Sequence, residues 1–246
     1  MAPALAPAPD LLQPQGMVAA RLMMGREATA WTLPEQIAVA LGERILSEQV
    51  GPGNRIGEEL LAKEFRVSRG PIRDAFRLLE GVGLVTITSR RGAIASSLAR
   101  EDLVEILELR GGLLAIAVAG FARNTIAEEV EQFRRHVVAM DLVPTDPRHA
   151  LIYTDALDRT MLFVAYHCGN TRIARILTTL SLQSFRYLRR AQGNGTASTA
   201  RRIETVEFYR DLCKACERKE RSVEPLLARL RQITADRILN VREFLP

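Results

Sequence analysis

The sequence predicts a mainly α-helical chain in two parts. The first is a small N-terminal domain of three helices closed by a β-hairpin, and the second is a C-terminal all-α antiparallel bundle of about six helices. Three observations carry this. Apolar residues recur at helical spacing through most of the chain beyond residue 35, only the stretch 84–95 is strand-like, and strand signals stop after Arg100. The length of 246 residues suits two modest domains, and a hydrophobic fraction of 47% is enough for folded cores. With aromatics at 5%, those cores are built mainly from Leu, Ile, Val and Ala. The expected boundaries are an Ala/Pro-rich, disordered tail over 1–32, the hairpin-bearing domain over 33–98 and the helical domain over 99–246. Met17 and Met23 are alternative starts for the chain.

Within the first domain, Glu35 to Val50 carries Ile37, Ala40, Leu41 and Ile45 at helical spacing and is followed by the breaker Gly51-Pro52-Gly53. A short helix is expected from about Glu58 to Phe65, then a tight turn at Arg66-Val67-Ser68. The third helix has Ser68 as its N-cap and Pro71 in its first turn, where a missing N–H breaks no helical bond. At about 100° per residue, Ile72, Ala75, Phe76 and Leu79 share one face, while Arg69, Arg73 and Arg77 form a strip roughly 120° away. The run Leu84-Val85-Thr86-Ile87-Thr88 reads as a strand, Ser89-Arg90-Arg91-Gly92 as a turn and Ala93-Ile94-Ala95 as the returning strand. Together these predict a winged helix-turn-helix with Arg90, Arg91 and Gly92 on the wing. A helix apolar on one side and cationic on the other can lie in a major groove, where the planar fork of arginine grips guanine edges or phosphates. The expected contacts are Arg69 and Arg73 at base edges or adjacent phosphates, Arg66 and Arg77 at backbone phosphates, Arg90 and Arg91 in the minor groove, with Ser68, Gly70 and Pro71 opening the helix.

Charge distribution agrees with a directed face. The chain is +5 overall, yet residues 35–98 hold 9 basic against 8 acidic residues, and the cations gather at Arg66–Arg77 and Arg90–Arg91. Three cysteines and no secretory pattern point to the cytoplasm, and no run approaches the ~20 apolar residues that span a bilayer.

Residues 35–98 resemble the DNA-binding half of the GntR family of bacterial transcription regulators. The resemblance is carried by IAVALGERILSEQVGPGNRIGEELLAKEF, VSRGPIRDAFRLLEGVGLV and RRGAI. The family usually has Thr where this chain has Gly70, so a phosphate-contacting hydroxyl is missing there while the backbone N–H remains.

Beyond residue 100, helices are expected at about 101–122, 126–141, 148–168, 171–191, 199–219 and 223–243. The breaks fall at Pro144 with Pro147, at Gly169-Asn170 and at the loop Gln192 to Thr196. This half resembles the FCD effector domain of the FadR subgroup through Glu101-Asp102, Arg110, Leu113, Gly169-Asn170 and Ile173, with Leu114 where most members have Glu. The resemblance implies a homodimer and a bundle cavity that binds a small metabolite, commonly a carboxylate. Many members hold a divalent metal there with one Asp and three His. Here the Asp position falls at Leu157 or Asp158, the following His at Met161 or Leu162, and the remaining two near Tyr209 and Arg231. None of His136, His149 and His167 coincides with these places. No metal or other cofactor is therefore expected. An anionic effector then needs another counter-charge, for which Arg110, Arg186 and Arg231 are candidates, with Tyr209 and Asn170 as hydrogen-bonding partners.

Other patterns are weaker. Cys213-Lys214-Ala215-Cys216 lies in a helical pattern with no second cysteine pair, so two partly buried thiols are expected rather than a redox motif. His167 and Cys168 are adjacent on a helix and point about 100° apart. Asp155 and Asp158 are expected to face solvent. No catalytic apparatus is visible. The resulting expectation is a ligand-responsive repressor binding an inverted-repeat operator as a homodimer, with an effector-free architectural DNA-binding dimer as the alternative.

Overall fold

The computed structural model describes residues 31–88, 92–192, 195–220 and 222–244. The chain divides after Ser97 into two compact units.

In the first unit, α1 spans Leu33–Leu46 and starts with a capping box in which the Glu35 carboxylate accepts from the Thr32 backbone N–H at 2.7 Å. The helix ends sooner than the apolar spacing suggested. Ser47 caps it, and Glu48 takes a left-handed φ of 65°, so the chain turns before reaching the Gly-Pro-Gly breaker. Helix α2 spans Glu58–Phe65 and closes on Arg66, which holds the left-handed conformation (φ 56°, ψ 45°) and donates its backbone N–H to Ala62 and Lys63 carbonyls. Helix α3 spans Arg69–Gly81 and buries Ile72, Ala75, Phe76 and Leu79. These meet Ile37, Leu41 and Ile45 of α1 and Leu61 of α2 in a core that also takes in Leu84, Val85, Ala93 and Ala95. Removing that apolar surface from water at about 25 cal/mol per Å² is what holds three short helices together.

The expected hairpin is present as β2 (Val85–Thr88) and β3 (Gly92–Ala95), with Val85 opposite Ala95 and Thr88 opposite Gly92. A two-residue strand that the sequence did not signal, β1 (Arg55–Ile56), adds to the other side of β3, giving the order β1-β3-β2. Gly92 is required at this junction. Its φ is +79°, and a Cβ there would sit 2.8 Å from the Ile56 carbonyl oxygen.

The second unit is helical: α4 (Arg100–Asn124), α5 (Ala127–Asp141), α6 (Ala150–Tyr166) after a 3-10 turn at Pro147–His149, α7 (Thr171–Gln192), α8 (Gly195–Glu217) and α9 (Glu224–Phe244). Helix α8 begins at Gly195, inside the segment read from sequence as a loop. At the centre, Phe121, Phe133, Phe163 and Tyr209 pack edge-on or stacked with ring centroids 5.1–6.2 Å apart. Helix α4 can approach the end of α6 only because residue 120 is glycine, since a Cβ there would lie 2.5 Å from the Cys168 carbonyl oxygen. No described helix is long and apolar enough to cross a membrane.

Candidate functional site

In the first unit, seating α3 by its apolar face turns the opposite flank outward. The side chains of Arg69, Arg73 and Arg77 are 59%, 63% and 74% exposed, so the arginine strip inferred from spacing is a surface. Ser68 takes the extended N-cap backbone (φ −71°, ψ 170°), but its hydroxyl makes no capping hydrogen bond. That hydroxyl and the exposed Gly70 and Arg66 lie beside the arginines at the start of the helix. Between α3 and the wing lies a groove of about 410 Å³ lined by Glu58, Arg69, Arg73, Phe76, Arg77, Ile87, Thr88 and Gly92. The wing is tied to α3 through Ile87, whose backbone N–H donates to the Glu80 carboxylate at 2.9 Å. Ser89, Arg90 and Arg91 lie outside the described residues.

The arginines are not independent. The N-terminal turn of α2 carries Glu58 and Glu59, which face α3. Glu58 Oε1 lies 2.5 Å from Arg73 Nε, and Glu59 Oε2 lies 3.3 Å from Arg69 Nη2. Arg77 pairs with Asp74 on its own helix at 3.2 Å. Exposed pairs of this kind contribute at most about 1 kcal/mol each to stability, but they restrict where a long side chain points.

The second unit contains an internal polar centre. Arg110 is 4% exposed, and its guanidinium donates to Asp158 Oδ1 at 2.7 Å and to the Ser184 hydroxyl. Asp158 is 1% exposed, contrary to the solvent-facing position expected for it, and its second oxygen has no hydrogen-bond partner among the described residues. The Asp155 carboxylate instead pairs with Arg159 at 2.7 Å. Beside the Arg110–Asp158 pair is a cavity of about 40 Å³, room for roughly three water-sized groups, bounded by Leu107, Leu114, Leu157, Met161, Thr205, Tyr209, Leu230 and Ile233 together with Arg110, Gly111, Thr234 and Arg237.

Arg237 was not anticipated. Burial and the neighbouring Arg110 push its guanidinium pKa down from the ordinary value, and among the described residues it forms no ion pair. The signal was present in the sequence: Ile233, Thr234 and Arg237 lie three, four and seven residues beyond Leu230, on one helical face. Arg231 belongs to a different face. Its side chain is 62% exposed and pairs with Glu224 at 2.7 Å, which removes it from the cavity. Asn170 is also displaced from the expected role. It is exposed, and its side-chain oxygen accepts from the Arg172 backbone N–H at 3.1 Å, at the start of α7. Tyr209 is 2% exposed and does line the cavity, and burial pushes its phenol pKa up from the ordinary value. The side chain of Arg186, on α7, lies outside the described residues.

Two guanidiniums and a phenol around a single carboxylate make a donor-rich cavity with a net positive charge. That set suits an anion and opposes a divalent cation. No group of three or more His, Cys, Asp or Glu side chains that could hold a metal exists among the described residues. The His136 and His167 rings lie 5.0 and 4.1 Å from the Phe163 ring, and His167 Nδ1 is hydrogen-bonded to the Phe163 carbonyl, so both are built into the core around that ring. Cys168 Sγ donates to the Ala165 carbonyl, away from any dyad geometry. Cys213 and Cys216 are buried free thiols, pushed up to about 12 and about 11 by burial, and stay protonated and unreactive near neutral pH.

Comparisons with known proteins fall on the same division of the chain. Residues 33–94 match the family described as bacterial regulatory proteins, gntR family, and residues 105–236 match the FCD domain. An uncharacterised HTH-type transcriptional regulator of Bacillus subtilis is 45% identical over 78 residues, covering 32% of this chain and 35% of that protein. A gluconate operon transcriptional repressor of Bacillus licheniformis is 26% identical over 132 residues, covering 54% and 51%. The matched region thus spans about a third to a half of these curated relatives. Among solved structures, a GntR regulator from Rhodococcus sp. RHA1 superposes with a TM-score of 0.67 at 18% identity, covering 87% of this chain and 99% of that one. E. coli McbR/YncC gives 0.64 at 17% identity, covering 87% and 98%.

Proposed function

Because this chain belongs to the GntR family of bacterial regulatory proteins and carries its FCD domain, we propose that it is a homodimeric, anion-responsive repressor of transcription acting in the cytoplasm. Members of the family are DNA-binding transcription regulators, not enzymes. The observation that carries the DNA reading is the outward arginine flank of α3 above a groove bounded by the wing. In this reading Arg69 and Arg73 meet base edges, Arg66 and Arg77 meet phosphates, and Arg90 and Arg91, assigned from sequence alone, enter the neighbouring minor groove. Ser68, Gly70 and Pro71 bring the N-terminal turn of α3 close to the backbone of the duplex, and Gly92 does the same for the wing.

Pairing of two copies is supported by apolar residues that α4 and α7 leave exposed: Leu109 at 57%, Ile116 at 57% and Ile176 at 48%. Gly112, between the first two, has open space above it. The exposed charges complement one another, with Glu105 and Glu108 on α4 and Arg172 on α7. A twofold axis through such a pair requires an inverted-repeat operator.

The effector in this reading is a small carboxylate held by Arg237, Arg110 and Tyr209, with no resident metal. One net positive charge, two guanidiniums less one carboxylate, complements a single negative charge, and a larger ligand has to widen the cavity. Such a ligand shifts DNA affinity only by the difference in its affinity for two arrangements of the protein, typically ~1–3 kcal/mol.

A thermal-shift panel of small carboxylates on the full chain and on Arg237→Met tests this. At about 100 times its Kd a true ligand stabilises by about 2.7 kcal/mol. The expected result is a saturable rise in Tm for at least one acid that Arg237→Met abolishes. Equal shifts in both proteins would remove Arg237 from the site, and no shift in either would favour an architectural dimer without an effector.

A further inference from the structure

We propose that Glu58 is a specificity-determining positioning residue, whose carboxylate holds Arg73 so that its terminal N–H fork is presented end-on to a guanine. This rests on the placement of Arg73 against base edges in the reading above.

The two partners of the pair are unequally exposed. The Glu58 side chain is only 19% exposed, whereas that of Arg73 is 63% exposed, so the carboxylate sits behind the guanidinium and the guanidinium projects from it. The atom engaged is Nε, at 2.5 Å, in an ion pair whose alignment falls short of a hydrogen bond to that oxygen. Both Nη groups of Arg73 are left for an outside acceptor, and they form the fork that matches guanine O6 and N7. The other two arginines are held differently. Arg69 and Arg77 spend an Nη nitrogen on Glu59 and Asp74, and both of those carboxylates are more than half exposed. Glu59 is in addition shared with Lys63 at 3.4 Å. Only Arg73 therefore combines a half-sunken anchor with a free fork. The anchor limits the rotamers in which Arg73 could wander to a phosphate, and its negative charge beside the groove weakens attraction for a DNA backbone of any sequence.

The test uses the full-length wild type, Glu58→Ala and Glu58→Gln, each selecting from a random duplex library. Binding of each to the enriched duplex and to a scrambled duplex is then measured. In Glu58→Ala, guanine preference at one position of each half-site should fall about tenfold, while binding to the scrambled duplex tightens. Glu58→Gln keeps the size of the side chain but removes the charge on which the pair rests. Its guanine preference should therefore fall toward that of Glu58→Ala, and it should likewise tighten on the scrambled duplex. Unchanged base preference in Glu58→Ala would overturn the proposal. So would a parallel loss on both duplexes together with a lowered Tm, which is the behaviour of a merely structural residue. If the wild type itself enriched no sequence, the DNA reading underneath would fail, an outcome distinct from the other two.

Discussion

Replacing Arg110 by alanine is expected to destabilise the helical unit by about 3 kcal/mol, the lower end of the ~3–5 kcal/mol that follows from removing one half of a buried ion pair. The side chains of Arg110 and Asp158 are 5% and 2% exposed, and Asp158 already has one oxygen without a partner. Without the guanidinium that donates to Oδ1, the carboxylate stays buried and loses its charge-assisted hydrogen bond. Arg237 remains electrostatically coupled to Asp158, which keeps the loss from the upper end of the range. Urea unfolding followed by far-UV circular dichroism, dominated by the helices of the larger unit, should show the midpoint falling. The single tryptophan, Trp31, lies in the other unit, and its fluorescence transition should move less. The double change Arg110→Met with Asp158→Leu removes both charges at similar volume and should recover most of the stability. A loss below about 1 kcal/mol in Arg110→Ala would show that the pair is more hydrated than its burial implies.

The second large effect is on DNA. Arg69→Ala should cost about 1–3 kcal/mol per half-site, hence about 2–6 kcal/mol for a dimer on two half-sites, and should relax base preference. Arg77→Ala should weaken binding to all sequences by similar factors and reduce the salt dependence of Kd, as expected for a phosphate contact. Titrations on an enriched and a scrambled duplex at several salt concentrations separate the two. Indistinguishable behaviour of the variants would remove the division of labour along the strip.

The winged domain was legible because its determinants are local. The Ser68 N-cap, Pro71 in the first turn and the four- and three-residue steps from Ile72 to Phe76 to Leu79 specify α3, and the four-residue spacing of Arg69, Arg73 and Arg77 places them away from the core. What escaped was non-local. Strand β1 is two residues long and exists only because β3 offers it an open edge. The end of α1 was decided by Glu48 adopting a left-handed turn, for which that residue carries no strong preference. The bundle cavity was legible only in part for the same reason. Arg110 and Tyr209 were found through family resemblance. The partner of Arg110, Asp158, is set by the packing of α4 against α6, and single-helix spacing leaves its exposure open. Arg231 and Arg237 show how far one misassigned position carries, since six residues along a helix amount to a change of face.

The account depends most on α3 turning its arginine flank into a duplex. Selection from a random duplex library by the wild type and by an Arg69→Ala, Arg73→Ala double variant tests it directly. The wild type should enrich a twofold-symmetric motif that the folded double variant no longer selects. Enrichment of the same motif by both proteins would contradict the account.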